Sequence, residues 1–281
     1  MTIGIAATFP DGVILCSDTR ITAWDGSTTS ESKAFMSVTA TKRLFAVSYA
    51  GEDVNAAKMV AREIDQAACN ADKWNDIGPT VKKIMGEWYR SYGHTSVPFL
   101  QFLLVGIDVE NEYSAIYLCE PPNTVYLGSD PIVIGSGNRV VAPMLGLIAT
   151  RAGKQLSLRT YLLRMAYLMH LAKEHAGSGI GGRTQVIILS TKGSFTFIDR
   201  DEMEQAEEVG KQVASLLEKL GKEILDADEK SDFSFLDELA SECESAMQGC
   251  SKAEFLSLGL LDKPIWKPKK RSISGKSEGQ Q

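Results

Sequence analysis

The stretch TIGIAATFPDGVILCSDTRIT, residues 2–22, reads as two β-strands joined by a tight turn. Its two halves are β-prone, and the FPDG segment between them carries the Pro, Asp and Gly that typically form turns. A turn centred near Pro10 and Asp11 pairs residues whose numbers sum to about 21, to within one. The predicted hairpin therefore brings Thr2 opposite the segment that begins at Asp18.

Charged side chains gather around Thr2 in this register. Asp18 and Arg20 share one face of their strand because side chains alternate, so pairing with either position puts a charge beside Thr2. Lys33 begins the next predicted strand and can return to the same end of the sheet. As structural residues, Asp18 and Arg20 would form an ion pair at a sheet edge, and Lys33 would be a solvated lysine. The residues alone leave the structural and the chemical interpretation open.

The rest of the chain alternates runs of strands with pairs of helices. Strands are predicted over 2–8, 13–22, 33–38, 43–50, 100–109, 113–119, 124–134, 184–191 and 194–199, with a polar loop over 23–32 and helices over 52–68, 77–92, 138–152 and 158–175. This order differs from the single strand–helix alternation of a doubly wound parallel sheet. It predicts an α+β fold in which two antiparallel sheets pack between helix pairs, a four-layer αββα sandwich.

The length of 281 residues fits one large domain with an appendage. We predict the sandwich over residues 1–200 and a helical C-terminal extension over 201–262, whose apolar stripe could pack on its own domain or on a neighbouring subunit. Residues 263–281 are rich in Pro, Lys and Ser, a composition typical of a disordered tail.

Composition excludes several functional classes. The net charge of −6 argues against a general attraction to nucleic acid or anionic lipid. No apolar stretch approaches the ~20 residues that cross a bilayer, and the start lacks the features of a signal peptide, so a cytoplasmic location is expected. Five scattered cysteines indicate neither a disulfide framework nor a zinc site, and three histidines leave little material for a histidine triad or metal site. These features favour chemistry that needs no imidazole.

Thr2 can supply such chemistry once it is the N-terminal residue. It follows Met1, and a small second residue is of the kind after which Met is usually removed. The α-amine of a terminal residue has a reference pKa of about 7.7 to 8.0, so it can accept the hydroxyl proton directly or through one water. A nearby Lys33 ammonium would disfavour charging of that amine, while Asp18 would hold the lysine and offset its charge.

These ordered elements resemble the proteasome β-subunit superfamily of N-terminal nucleophile (Ntn) hydrolases. The match consists of TIGI, DGVIL and SDTRIT within residues 2–22, Lys33, and YAG at 49–51, and the similarity covers roughly residues 2–200. The spacing from Lys33 to Gly51 and the Met-Thr start look more like the bacterial Anbu-type and HslV-type branches than like eukaryotic subunits with propeptides.

The resemblance implies a role for each of five residues. These are Thr2 as nucleophile, Asp18 as the aspartate of the D-[ST]-R motif, Lys33 as the catalytic lysine, Gly51 as an oxyanion-hole N–H, and Ser136, from GSG at 135–137, as a serine near the nucleophile's amine. It further implies a threonine peptidase that hydrolyses amide bonds through an acyl-enzyme on Thr2, with no metal or organic cofactor.

The resemblance also implies a homo-oligomer, a ring or a spiral, that acts on a peptide or protein substrate; partnership with an ATPase or an adaptor stays open. Where the family carries D-x-x-S-G-G before its last hairpin, residues 175–182 read HAGSGIGG and contain no acid. This departure favours one alternative, a catalytically silent scaffold subunit. A second alternative keeps the nucleophile and is an Ntn hydrolase of small amides, as other N-terminal nucleophile enzymes are. Tyr49 matches a specificity-pocket position of the family and predicts a restricted pocket.

Overall fold

The computed structural model describes residues 2–22, 25–39, 43–91, 98–122, 124–128, 131–147, 158–176, 179–198 and 200–226. Within these ranges the protein is a mixed α+β fold with two five-stranded antiparallel sheets, a two-stranded ribbon and five α-helices. No helix in this part of the chain is long and apolar enough to cross a membrane.

The elements follow in the order strands, helix pair, strands, helix pair, strands, helix. They are β1 (Ile3–Phe9), β2 (Gly12–Asp18), β3 (Arg20–Thr22), β4 (Thr28–Ser30), β5 (Ala34–Val38), β6 (Arg43–Gly51), α1 (Val54–Asn70), α2 (Ile77–Ser91), β7 (Leu100–Asp108), β8 (Tyr113–Glu120), β9 (Thr124–Gly128), β10 (Ile132–Gly135), α3 (Asn138–Val141), α4 (Leu158–His175), β11 (Thr184–Ser190), β12 (Phe195–Ile198) and α5 (Arg200–Asp226). The first sheet has the order β10-β1-β2-β11-β12, the second sheet the order β5-β6-β7-β8-β9, and β3 pairs with β4.

The N-terminal hairpin has the predicted register. Gly4 lies opposite Ser17, so paired residue numbers sum to 21. Gly12, where β2 begins, lies so close to β11 that any Cβ would collide with the carbonyl oxygen of Leu189. The turn residues therefore determine the register, and a glycine at the start of β2 lets the neighbouring strand approach.

Side-chain alternation along the strands separates the described core into three buried clusters. The odd-numbered residues of β1, with Ile14 of β2, pack against α3, α4 and α5. On the second sheet, Phe45 and Val47 of β6 pack against α1 and α2. The third cluster joins the two sheets face to face, and it includes Ala6, Val13, Leu15, Ala46, Leu103 and Val105. Period-2 alternation thus gives each sheet two apolar faces, and the three clusters bury these faces among the described residues.

Two predicted strands are each divided between different partners. The predicted strand 13–22 ends in the first sheet at Asp18, and its remainder forms β3, which pairs with β4 inside the predicted polar loop. The break falls at Thr19, whose hydroxyl accepts a hydrogen bond from the Arg183 N–H. The predicted strand 124–134 is likewise β9 in the second sheet and β10 in the first. Periodicity indicates which residues share a face but not which sheet a strand joins, so both predictions were wrong about continuity.

The predicted helix 138–152 is shorter than expected. The α-helix α3 ends at Val141, and a 3₁₀ helix follows over Ala142–Leu147. Pro143 has no N–H to donate to the carbonyl four residues earlier, which explains the change of helix type. Residues 148–152 lie outside the described residues.

Helix α5, over Arg200–Asp226, lies at the start of the region predicted as a helical extension. It packs along α4, where Gly210 approaches the α4 backbone and Lys173 forms an ion pair with Glu207 at 2.6 Å. The rest of the predicted extension, 227–262, and the tail 263–281 lie outside the described residues.

Candidate active site

Thr2 lies immediately before β1, at the edge where the two sheets face each other. Its side chain is 4% exposed, and its hydroxyl accepts a hydrogen bond of 2.8 Å from the Lys33 ammonium. The Thr2 carbonyl accepts a hydrogen bond of 3.4 Å from the Gly137 N–H. Hydrogen bonds from Lys33 and Gly137 thus hold both the hydroxyl and the backbone carbonyl of Thr2 in place.

Lys33 is the only lysine among the largest fully buried side chains of the described residues. Its Nζ lies 3.1 Å from each carboxylate oxygen of Asp18, which neutralises the buried charge. Its backbone N–H donates to Oε1 of Gln185 at 3.0 Å, so the start of β5 is tied to β11 of the other sheet. The interpretation of Lys33 as a solvated lysine is therefore wrong.

Asp18, at the end of β2, has no exposed surface. Besides Lys33, its carboxylate accepts hydrogen bonds from the Ile3 N–H at 3.0 Å and from the Gly181 N–H at 3.3 Å. The bond to Ile3 joins Asp18 to the residue directly after Thr2. Asp18 therefore orients both the lysine and the backbone that carries the candidate nucleophile.

Burial shifts both members of this ion pair towards their neutral forms. It raises the pKa of Asp18, which Lys33 and the two backbone N–H groups oppose. It also lowers the pKa of Lys33, which the Asp18 carboxylate opposes, while the charge of nearby Arg20 lowers it further. A lysine with a lowered pKa, hydrogen bonded to a hydroxyl, is well suited to exchange a proton or to stabilise a developing alkoxide.

A cavity of about 810 Å³ opens in front of Thr2. Gly51 and Ser136 line it together with Thr2, whereas Asp18 and Lys33 are not among its lining residues. The Ser136 hydroxyl is buried and has no hydrogen-bond partner among the described residues. The structure thus brings the five predicted residues to one place, with the charged pair behind the nucleophile and the other two around the cavity.

Two glycines permit the close packing around this cavity. Gly135 has φ +84, and a Cβ there would collide with the Thr2 carbonyl oxygen. Gly51 ends β6, and a Cβ there would collide with the Leu100 side chain. A left-handed backbone and a contact this short both require glycine at position 135.

Arg20 and Tyr49 have structural roles in this geometry. Arg20 donates to the Ile180 carbonyl at 3.1 Å, and its N–H donates to the Gly181 carbonyl at 3.1 Å, so it anchors the segment that departs from the family motif. Tyr49 packs in the cluster of the second sheet with α1, and its hydroxyl donates to the Ser32 carbonyl at 3.3 Å. Burial raises the pKa of Tyr49 to about 12. Tyr49 does not line this cavity, so the prediction that it restricts the pocket was wrong.

Sequence reasoning assigned no role to several residues that line the cavity. They are Ala50, Glu52, Phe99, Gln101, Gly135, Asn138, Arg139, Val140, His175 and Ala176. One of them carried a signal, because Gln101 is an uncharged polar residue inside the apolar run LQFLLVGI. An isolated polar side chain in such a strand needs a hydrogen-bond partner, and that requirement points to a specific contact.

Comparison with known proteins identifies the fold. No protein-family model and no curated protein matches the chain. Among solved structures, a Gly-1 mutant of Anbu from Hyphomicrobium sp. strain MC1 matches with a TM-score of 0.63 and 14% identity, covering 83% of this chain and all of that one. Anbu, the ancestral β-subunit, from Yersinia bercovieri matches with a TM-score of 0.62 and 14% identity, covering 82% of this chain and all of that one.

A third match is a structure described as a helical assembly of the Anbu complex from Pseudomonas aeruginosa. It has a TM-score of 0.61 and 13% identity, covering 82% of this chain and all of that one. At this identity the likeness shows the fold, which is that of the proteasome-related Anbu proteins. The resemblance read from the N-terminal motifs is thereby confirmed at the level of the fold.

Proposed function

We propose that this protein is a threonine peptidase of the Ntn type, which cleaves peptide bonds through an acyl-enzyme on Thr2 after removal of Met1. The observation that carries the proposal is the 2.8 Å hydrogen bond from a buried Lys33 to the Thr2 hydroxyl at the wall of a large cavity. The shared fold of the proteasome-related Anbu proteins supports a hydrolase.

The chemistry follows from the placement of these groups. The α-amine of a terminal Thr2 accepts the hydroxyl proton while Oγ1 attacks the substrate carbonyl, and the Lys33 ammonium stabilises the developing negative charge. The Gly51 N–H donates to the oxyanion. Collapse returns the proton to the leaving amine and leaves an ester on Thr2, which water then hydrolyses. Asp18 takes no part in bond making and keeps Lys33 in place.

Ser136 has a role in the same mechanism. Its buried hydroxyl has no hydrogen-bond partner within the described ranges, and it lines the cavity with Thr2. An α-amine produced at Thr2 is a new polar group that needs an acceptor. We therefore assign Ser136 to orient that amine, with removal of Met1 creating the missing partner.

The architecture we propose for this enzyme is the four-layer αββα sandwich over residues 1–200. The three clusters support it, because one lies between the sheets and the other two lie between a sheet and helices. Helix α5 would begin the helical extension.

We infer a homo-oligomer, a ring or a spiral, and the structure described as a helical assembly of the Anbu complex supports this. The proposed substrate is a peptide or protein, and a cavity of about 810 Å³ in front of Thr2 is large enough to admit a peptide segment. Composition supports a cytoplasmic enzyme without nucleic-acid or membrane partners.

A catalytically silent scaffold is the second candidate. It is favoured by one observation, that residues 175–182 carry no acid where the family has one. In this chain the same segment contacts the site through its backbone, because the Gly181 N–H donates a hydrogen bond to the Asp18 carboxylate.

Intact-mass measurement combined with labelling distinguishes the two candidates. The purified protein is incubated with a β-lactone, which acylates nucleophilic hydroxyls, and the modified residue is located by peptide mapping. We expect a mass without Met1 and one acyl group on Thr2, lost in Thr2→Ala and kept in the control Thr28→Ala, which removes an exposed threonine of β4. Retention of Met1 would refute the mechanism. Removal of Met1 without labelling, in a homo-oligomer, would support the scaffold.

A further inference from the structure

The proposed mechanism needs groups from both sheets to act on one substrate carbonyl. Thr2 precedes β1 of the first sheet, whereas Gly51 ends β6 of the second. The attacked carbon must lie about 3 Å from the hydroxyl while its oxygen lies about 3 Å from the Gly51 N–H. The separation of the two sheets at this edge therefore determines whether attack is possible.

Gln101 crosses between the sheets at this edge. It lies in β7, opposite Ala50 and next to Leu100, which pairs with Gly51. Its side chain leaves the second sheet, and its Oε1 accepts a hydrogen bond of 2.8 Å from the Gly135 N–H of β10 in the first sheet. The residue thus links the strand beside the oxyanion hole to the strand beside the nucleophile.

The direction of the Gln101 amide is determined by Glu120. Its Nε2 donates to Oε1 of Glu120 in β8 at 2.6 Å. A carboxylate only accepts hydrogen bonds, so the amide nitrogen must face Glu120 and the amide oxygen must face Gly135. These three residues form a chain of hydrogen bonds, which we call the Gln101 bridge.

Gly135 transmits this contact to Thr2. It lies opposite Ile3 in the register of β1 and β10, and its Cα is so close to the Thr2 carbonyl oxygen that a Cβ would collide with it. Two residues later, the Gly137 N–H donates to the same carbonyl. Any shift of the Gly135 backbone is therefore passed to the backbone of Thr2.

We propose that Gln101 is a positioning residue for the nucleophile, which sets the distance between Thr2 and the Gly51 N–H through the Gln101 bridge. This inference rests on the proposed peptidase function. The Lys33–Asp18 pair links the sheets behind Thr2, and the Gln101 bridge links them on the cavity side. A misplacement of about 1 Å at a reacting centre can cost about 100-fold in rate.

The test is an exchange of donor and acceptor between the two side chains. Gln101→Glu alone places two carboxylates at the 2.6 Å contact, so they repel and the bridge opens. In the double variant Gln101→Glu/Glu120→Gln, the new amide donates to the new carboxylate, whose other oxygen still accepts from Gly135. Both variants carry the same new carboxylate beside the cavity. Any difference in rate between them therefore reports the Gln101 bridge and not the added charge.

The readouts are the rate constant for β-lactone acylation of Thr2 and kcat and KM for a fluorogenic peptide. We expect Gln101→Glu to lower the acylation rate and kcat by about 10- to 100-fold with little change in KM. In the double variant, the acylation rate and kcat should return to within a few-fold of the wild-type values. Gln66→Glu, the same substitution at an exposed position of α1, is the matched control and should leave all three values unchanged.

The outcomes separate this inference from the proposed function. Wild-type protein that is not acylated at Thr2 would refute the proposed function. Wild-type acylation with an equally fast Gln101→Glu variant would refute the inference alone, as would a folded double variant as slow as Gln101→Glu. If Gln101→Glu does not fold, Gln101→Met removes both hydrogen bonds without adding charge, and acylation at the wild-type rate would overturn the proposal.

Discussion

Removal of the Lys33 charge tests the buried ion pair without any assumption about activity. The variant Lys33→Met keeps an unbranched side chain of similar length and removes the ammonium. Asp18 then retains its hydrogen bonds from Ile3 and Gly181 but loses its counter-charge in a site with no exposed surface. The prediction is a loss of stability that depends strongly on pH.

The magnitude follows from the geometry of the pair. At the observed separation of 3.1 Å, an effective dielectric constant of about 20 gives an attraction of about 5 kcal/mol. Breaking a buried pair by removing one partner costs about 3–5 kcal/mol, and the two remaining N–H donors offset part of that cost. We therefore expect the free energy of unfolding to fall by about 3–4 kcal/mol at pH 7.

The pH dependence has a defined sign. Without Lys33, burial holds the pKa of Asp18 in the folded variant further above its unfolded value of about 3.9. A carboxyl whose folded pKa is raised destabilises the folded state above the unfolded pKa, and below it both states are protonated. The loss should therefore be largest at neutral pH and shrink as the pH falls towards about 4.

Urea unfolding between pH 4.5 and 7.5 measures this difference. The control is Lys83→Met, which removes an exposed lysine of α2 and should change stability by at most about 0.5 kcal/mol at every pH. Adding Asp18→Asn to Lys33→Met should recover most of the loss at neutral pH, because the unpaired charge is removed. A loss under about 1 kcal/mol, or one that does not vary with pH, would show that the pair is not buried as described.

Three further predictions concern positions outside the ion pair. Gly135→Ala should destabilise the protein by more than about 2 kcal/mol in chemical unfolding, because the new Cβ would collide with the Thr2 carbonyl oxygen. The control is Gly26→Ala, since Gly26 has a similar φ of +80 but no atom near the position of a Cβ, and it should cost only about 1 kcal/mol. Burial raises the pKa of Asp65, so ionisation of this carboxyl destabilises the folded state as the pH rises. The urea midpoint of Asp65→Asn minus that of wild type should therefore be larger at pH 7.5 than at pH 4.5. The same difference in midpoint at both pH values would contradict this. Gly210→Ala should lower the melting temperature by several degrees despite the better helix propensity of Ala, because a Cβ there would press α5 away from the α4 backbone. An unchanged or higher melting temperature would show that the two helices do not pack this closely.

The local elements of the candidate site could be predicted from the sequence. The turn at Pro10 and Asp11 predicted the hairpin register to within one residue, and the observed pairs sum to 21. That register places Asp18 near Thr2, and Lys33 follows a short polar segment that can return to the same edge. The prediction of these three residues at one place depended on short-range geometry and on recognised motifs, and the observed distances agree with it.

The contacts that cross between the sheets could not be predicted in this way. Gln101 is an isolated polar residue in the apolar run LQFLLVGI, but nothing in that run identifies Gly135 or Glu120 as its partners. The division of 124–134 between two sheets was missed for the same reason, because both halves have strand-like composition. Tyr49 was assigned to the pocket from family position alone, and its packing against α1 places it elsewhere.

By itself, the sequence determined the alternation of strand runs with helix pairs, the hairpin register to within one residue and the chemistry available at Thr2, because turns, periodicity and side-chain functional groups are properties of short segments. Only the tertiary structure decided that Lys33 is buried, that Asp18 also holds the backbone of Ile3 and Gly181, and which side chains surround the cavity. The physical reason is that burial and hydrogen-bond partners depend on which strand faces pack together. Such contacts join segments far apart in the chain, and local sequence patterns do not determine them.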